Sequence, residues 1–64
     1  RALTFAIQLI LLEDRDNRVR VAAATALGKL GPRAITAARA LRHARRMDES
    51  RAVRSAAAMA LASM

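Results

Sequence analysis

Four basic side chains in the second half of the chain have the types and spacing best suited to chemistry with a partner. Arg39, Arg42, His43 and Arg46 recur at intervals of three and four, which places them on one face of a helix. The guanidinium group of arginine is a planar fork of donors that matches carboxylates and phosphates. These four residues, here named the basic stripe, predict a binding surface for an acidic protein or for phosphate groups. A solvated outer face without a partner is the alternative interpretation.

The overall charge favours the same two classes of partner. The 64 residues contain 12 Lys and Arg against 5 Asp and Glu, which gives a net charge of +7. Such a balance suits nucleic acids and acidic protein surfaces. The chain has no Trp or Tyr and a single Phe, so aromatic stacking on bases is not available. Nucleic-acid binding would therefore depend on backbone charge, with little reading of sequence.

The residue types do not predict a catalytic centre, a metal site or a cofactor. All five acidic residues fall in two clusters, at 13–16 and 48–49, and arginines in the first cluster already neutralise a possible carboxylate pair. His43 has no cysteine and no carboxylate at helical spacing to complete a metal site. Ser50 has no base placed near it. We therefore predict that the chain carries no catalytic residues and is not an enzyme.

One segment of the sequence occurs twice in related form. When Asp14–Gly28 is aligned with Asp48–Ala62, at an offset of 34, eight of fifteen positions are identical, whereas about two matches are expected by chance. The identical pairs are Asp14/Asp48, Val19/Val53, Arg20/Arg54, Ala22/Ala56, Ala23/Ala57, Ala24/Ala58, Ala26/Ala60 and Leu27/Leu61. The chain therefore contains two copies of one structural unit.

Each unit is predicted to be a pair of helices. Asp16 and Ser50 lie 34 residues apart, each just before a predicted helix, at the position of an N-cap. Both side chains can accept hydrogen bonds from the amides of the first turn. Gly31 and Pro32 suit the end of one helix and the start of the next. The predicted helices span about residues 2–12, 17–30, 33–46 and 51–63, grouped as repeats 1–31 and 32–64.

Small apolar residues at helical spacing predict the buried faces of the later helices. The predicted face of the second helix consists of Val19, Ala22, Ala23, Ala26, Leu27 and Leu30. That of the fourth consists of Val53, Ala56, Ala57, Ala60, Leu61 and Met64. That of the third, opposite the basic stripe, consists of Ala34, Ala37, Ala38, Leu41 and Ala44. The first helix is apolar almost all round, with only Thr4 and Gln8 on a thin polar line, and is expected to be covered on most sides.

The repeated pattern resembles HEAT-like repeats, most closely the short class named after phycobilisome lyases. The matching runs are Leu12-Glu13-Asp14, Val19-Arg20, Ala22-Ala23 and Ala26 to Gly31, followed in the second copy by Asp48, Val53-Arg54, Ala56-Ala57 and Ala60-Leu61. The resemblance implies an all-α fold, a right-handed α-solenoid segment of two helix-pair repeats. It also implies a structural ladder that bonds successive repeats, and the residues carried over to it are Asp14, Arg20, Asp48 and Arg54.

These observations lead to one functional hypothesis and two alternatives. The first is a non-enzymatic scaffold for protein–protein interaction, a fragment of a longer solenoid whose partners are further repeats or a protein, possibly an acidic one. Nucleic-acid binding through the basic stripe is the alternative, and the resemblance also admits a lyase or glycosylase subunit. The longest apolar stretch, residues 2–12, is too short to cross a membrane. Without cysteines, the chain is expected to be intracellular and cytoplasmic.

Overall fold

The computed structural model of the chain describes residues 2–30 and 35–64, and these residues form four α-helices. The helices are α1 (Ala2–Glu13), α2 (Asn17–Leu30), α3 (Ile35–Met47) and α4 (Arg51–Ala62). No strand occurs in the described ranges, and the fold is an all-α helical-repeat segment. The predicted stop at Gly31 and Pro32 and the predicted core position Ala34 lie outside the described residues. None of the four helices has the length and apolar character needed to cross a membrane.

Helices α2 and α4 begin in related ways because their preceding turns have related sequences. Ser50 is the N-cap of α4, with extended backbone angles (φ −86°, ψ 124°), and its hydroxyl accepts a hydrogen bond from the amide of Val53 at 3.3 Å. Before α2, the carboxylate of Asp16 accepts from the amide of Arg18 at 2.9 Å. Each side chain satisfies an amide that has no partner within its own helix.

The four helices form two layers. α1 lies beside α3 and α2 lies beside α4, while consecutive helices pack against each other within each repeat. The most extensive contact joins α2 to α4, and the contact between α1 and α3 is smaller. Seven of the eleven buried apolar residues in the described ranges are alanines, so the layers meet through small side chains. The four largest fully buried side chains are Leu11, Leu27, Leu41 and Val53.

The predicted buried face of α2 is only partly correct. Val19, Ala22 and Leu30 are exposed, whereas Arg20 and Gly28, which were not predicted to be inside, are buried. The reason is that the described residues include no helix pair before the first repeat, so the side of α2 that carries these residues is not covered within them. In α4 the corresponding stripe packs against the first repeat, and its predicted residues are buried or packed against the core.

Helix α1 also differs from its predicted environment. Within the described residues, five of its large apolar side chains are exposed: Leu3, Phe5, Leu9, Ile10 and Leu12. The thin polar line faces inward instead. Gln8 is buried, and its side-chain amide donates a hydrogen bond of 3.0 Å to the hydroxyl of Thr36 on α3. This polar contact between α1 and α3 adds to the apolar core that Leu11 of α1 shares with Leu41 of α3.

Candidate interaction surfaces

The basic stripe lies on the outer side of α3. Arg39, Arg42, His43 and Arg46 are all exposed, because the opposite side of the helix supplies the core with Leu41 and three alanines. The stripe borders a shallow depression of about 430 Å³ that Met47 also lines. The helix itself contains no acidic residue that could neutralise the stripe.

The cations of the basic stripe stand apart from the ion pairs of the protein. Within residues 2–30 and 35–64 the ion pairs are Arg18–Asp16 and Arg20–Asp48, and neither involves α3. The three arginines on this exposed face therefore form a positive patch that makes no ion pair in those ranges. Such a patch attracts carboxylates or phosphates from solution and speeds their encounter with the protein.

A second depression connects the basic stripe to α1. It has a volume of about 440 Å³, and Arg39 and His43 line it together with Leu12 and Glu13 of α1. Leu12 is one of the exposed large apolar residues. The surface next to the stripe thus combines positive charge with apolar area, a combination that is common at protein interfaces.

A bidentate ion pair joins the two repeats at the turns that precede α2 and α4. The Nε and Nη2 atoms of Arg20 donate to the two carboxylate oxygens of Asp48 at 3.0 and 3.1 Å. The side chains are only 9% and 10% exposed. The Nη1 atom of Arg20 donates to the carbonyl oxygen of Asp14 at 2.6 Å. One arginine therefore holds its own turn and the turn of the next repeat together.

The local part of this arrangement is present in both repeats. The carboxylates of Asp14 and Asp48 accept hydrogen bonds from the amides two residues later, at 2.8 and 2.9 Å. Arg54 donates from Nη1 to the carbonyl of Asp48 at 2.6 Å, just as Arg20 does to Asp14. The structure thus brings Arg20 and Asp48 together between repeats. Asp14 and Arg54 make the same local bonds, without an inter-repeat ion pair in the described part of the chain.

The ion pair changes the acidity of its members. Burial alone would raise the pKa of Asp48, but hydrogen bonds from Arg20 and from the Ser50 amide outweigh it, and the result is a lowered pKa. The hydrogen bond to Asp48 in turn raises the pKa of Arg20. At the exposed turn before α2, the hydrogen bonds from Arg18 lower the pKa of Asp16. The carboxylates of Asp16 and Asp48 are therefore held in their charged form.

A small cleft beside these turns brings several ionisable side chains together. It has a volume of about 260 Å³ and is lined by Asp14, Arg20, His43 and Asp48, among others. The carboxylates of Asp14 and Asp48 already accept hydrogen bonds from Arg20 or from backbone amides. In the described ranges, no three His, Cys, Asp or Glu side chains are placed to hold a metal ion. The arrangement neutralises its charges internally, which suits a structural role better than acid–base chemistry.

A groove between α2 and α4 was not predicted from the sequence. It has a volume of about 770 Å³, and its lining includes Val21, Thr25, Ala56 and the exposed side chain of Met59. The signal was present in the repeat, because residues 21 and 25 stand one period before residues 55 and 59 and share their helix face. The lining is mostly apolar, and Lys29 is the charged residue among the side chains that line it.

Comparison with known proteins gives one positive result. A family model described as HEAT repeats matches residues 1–62. No curated protein and no solved structure matches the chain. The match covers both copies of the 34-residue repeat, and it is to HEAT repeats in general rather than to the phycobilisome lyase class.

Proposed function

Since this chain belongs to the HEAT repeat family, we propose that it is a non-enzymatic module that binds an acidic protein through the basic stripe and the adjoining part of α1. HEAT repeats are commonly protein-interaction scaffolds and are generally non-catalytic. The observation that carries the proposal is the exposed stripe on α3, which makes no ion pair in the described part of the chain and lies beside exposed apolar side chains of α1.

The stripe is supported by a well-packed scaffold. Directly behind it, Leu41 is fully buried, and Ala37 and Ala44 are almost so. A helix fixed in this way presents its outer side chains from a constant backbone position, so less conformational entropy is lost when a partner binds. The rigid helix therefore supports binding, and the arginine side chains adapt to the partner.

The choice between a protein and a nucleic acid depends on how far the stripe continues. One period before Arg39, Arg42, His43 and Arg46, the chain has Phe5, Gln8, Leu9 and Leu12. The basic stripe therefore does not continue onto α1, where Phe5, Leu9 and Leu12 are exposed apolar residues. A nucleic-acid backbone would require charge along its whole track, whereas an acidic amphipathic segment would match both parts.

Binding to nucleic acid is the second candidate function, and the net charge of +7 favours it. In this case the arginines would contact phosphates without reading bases, since the chain has one aromatic residue. The two candidates differ in what they require of α1. A protein partner would use the apolar surface at Leu12, and a phosphate backbone would not.

Fluorescence polarisation with three labelled probes separates the candidates. The probes are an amphipathic peptide with glutamates and leucines on separate helix faces, a scrambled peptide of the same composition, and a DNA duplex, each titrated across a salt series. We expect the amphipathic peptide to bind more tightly than the scrambled one. Tight duplex binding that falls steeply with salt, without preference between the peptides, would instead support phosphate binding.

Two variants locate the surface. Replacing Arg39, Arg42 and Arg46 together by glutamine should weaken peptide binding on the order of tenfold or more. The matched control removes three exposed bases elsewhere, by changing Arg15, Lys29 and Arg51 to glutamine, and should retain most of the affinity. Equal losses in both variants would mean that net charge alone drives binding and would contradict the proposed surface.

The apolar part of the surface is tested by Leu12→Gln. Because this side chain is exposed, its replacement should leave the fold unchanged. It should weaken binding of the amphipathic peptide but not of the duplex. If Leu12→Gln has no effect on the peptide, α1 does not take part in the interaction.

A further inference from the structure

His43 differs from the other members of the basic stripe in that its charge is not permanent. The guanidinium groups of Arg39, Arg42 and Arg46 stay protonated in proteins, whereas histidine is the side chain whose charge changes between about pH 5 and pH 8. The chain contains one histidine. The positive charge of the stripe therefore has a permanent part, carried by arginine, and a variable part, carried by His43.

The position of His43 is exposed in both repeats. Its counterpart 34 residues earlier is Leu9 of α1, which is 41% exposed although the second repeat packs beside the first. The counterparts of Arg39 and Arg46 in α1 are exposed as well. A neighbouring repeat thus leaves this line of positions open to solvent. The exposure of His43 therefore does not depend on where the chain ends.

Four carboxylates share a depression or a cleft with His43. The depression between α1 and α3 contains Glu13, and the cleft beside the turns contains Asp14, Asp48 and Glu49. Asp14 and Asp48 already accept hydrogen bonds, from backbone amides or within the inter-repeat ion pair. Glu13 and Glu49 are exposed. While the imidazole is neutral, the negative charge of these two residues opposes an acidic partner at this edge of the stripe.

Arginines also border His43. Arg39 lies four residues before it and Arg46 three residues after it, the spacings at which side chains are neighbours on a helix. Arg42 lines the same depression, whereas Arg20 of α2, which lines the cleft, is paired with Asp48. A partner carboxylate that binds between Arg39 and Arg46 therefore lies beside the imidazole, where it attracts the charged form more strongly than the neutral form.

We propose that protonation of His43 strengthens binding of the acidic partner, so that the basic stripe binds more tightly in mild acid than at neutral pH. This inference rests on the proposed function, because it concerns the same surface. Since partner carboxylates favour the charged imidazole, binding takes up a proton, and affinity rises as pH falls through the range in which histidine titrates. The added charge also offsets Glu13 and Glu49. One exposed charge contributes modestly, so we expect about a two- to fivefold change in affinity.

Fluorescence polarisation with the amphipathic peptide of glutamates and leucines tests the proposal, at constant ionic strength and between about pH 5.5 and about pH 8. The glutamates of the peptide stay ionised over this range, since glutamate titrates near about pH 4.3. The dissociation constant should fall by about two- to fivefold from the highest pH to the lowest. A dissociation constant that does not change with pH would overturn the proposal.

Two variants fix the charge of this position at its two limits. His43→Gln keeps it neutral at every pH, and His43→Lys keeps it positive, so both should give flat affinity profiles. The original chain should match the glutamine variant at the highest pH and approach the lysine variant at the lowest. Because His43 is exposed, neither replacement should change the circular dichroism spectrum. A glutamine variant with the same pH dependence as the original chain would exclude a role for His43.

The variant with Arg39, Arg42 and Arg46 changed to glutamine separates the two proposals. If the peptide binds through these arginines, this variant should bind it weakly at every pH. Binding that needs the arginines but is independent of pH would overturn the role of His43 and leave the proposed function intact. A peptide that fails to bind the original chain at any pH, or binds equally without the arginines, would contradict the proposed function and this inference together.

Discussion

Gly28 in α2 lies directly against Ala60 in α4. A methyl group on Gly28 would come within 2.8 Å of the Cβ atom of Ala60 and 2.9 Å of its Cα atom, closer than carbon atoms pack without a shift. Glycine lowers helix propensity by about 1 kcal/mol relative to alanine. The close approach of the two repeats therefore explains why a glycine is present in the last turns of α2.

We expect Gly28→Ala to lower the free energy of unfolding by roughly 1–3 kcal/mol, because overpacking outweighs the gain in helix propensity. Urea denaturation measures the effect. Ala60→Gly removes the opposing Cβ atom but leaves the Cα atom at 2.9 Å, so in the double variant Gly28→Ala should be only partly less destabilising than it is alone. A Gly28→Ala protein more stable than the original would show that the helices can separate at no cost.

Leu41 identifies the side of α3 that belongs to the core. Leu41→Ala should lower the free energy of unfolding by about 2–5 kcal/mol, because it leaves a cavity at a fully buried position. Leu41→Asp should unfold the second repeat, which a circular dichroism melt would detect. Ile35→Ala, at an exposed position of the same helix, serves as control and should change stability by less than about 0.5 kcal/mol.

Ser50 stabilises the start of α4 by accepting from the amide of Val53. Ser50→Ala should reduce stability by about 1 kcal/mol, the usual effect of removing an N-cap, and thermal denaturation would show it. Ser55→Ala alters the same residue type at an exposed position inside α4 and should be neutral or slightly stabilising. If both variants behaved alike, the cap would not contribute.

The lowered pKa of Asp48 makes the free energy of unfolding depend on pH in the acidic range. A carboxyl group whose folded pKa lies below its unfolded value of about 3.8 contributes its full stabilisation above that value, and the contribution is lost as pH falls through the folded pKa. We therefore expect the melting temperature to fall steeply below about pH 4. Asp48→Asn should be less stable at neutral pH and should flatten this decline.

Asp16→Asn provides the matched comparison for Asp48→Asn. The pKa of Asp16 is also lowered, through hydrogen bonds from Arg18, but the two side chains of this ion pair are 86% and 40% exposed. Solvent screens such a pair, so the substitution should change the fall of the melting temperature at low pH only slightly. Similar profiles for the two variants would mean that the inter-repeat ion pair does not control acid stability.

The number and position of the helices follow from the sequence because caps and apolar periodicity are local signals. The Asp16 and Ser50 turns lead into helices that begin at Asn17 and Arg51. Periodicity cannot, however, say which copy of a shared stripe is covered, since Val19 and Val53 occupy the same place in the repeat and have opposite environments. That difference arises from the stacking order, which is a property of the whole fold.

Two buried polar residues mark the other limit of sequence-based prediction. Gln8 and Arg20 would be placed outside by hydropathy, yet each is buried because it has a partner in the other repeat, Thr36 and Asp48 respectively. Burial of a polar side chain is determined by the partner that satisfies it. The resemblance to HEAT-like repeats placed Arg20 in the ladder, but nothing in the local sequence identified the partner of Gln8.

The contact of α2 with α4 and the turn before it has two specific points near its ends, with mostly alanine between them. Arg20 meets Asp48 at one end, and Gly28 meets Ala60 eight residues later, about 12 Å along the helix. A surface of alanine methyl groups offers few features that oppose sliding. A slide of one residue, about 1.5 Å, would disturb the ion pair and displace the Ala60 methyl group from Gly28 at once. These two points therefore define the register of one repeat on the next.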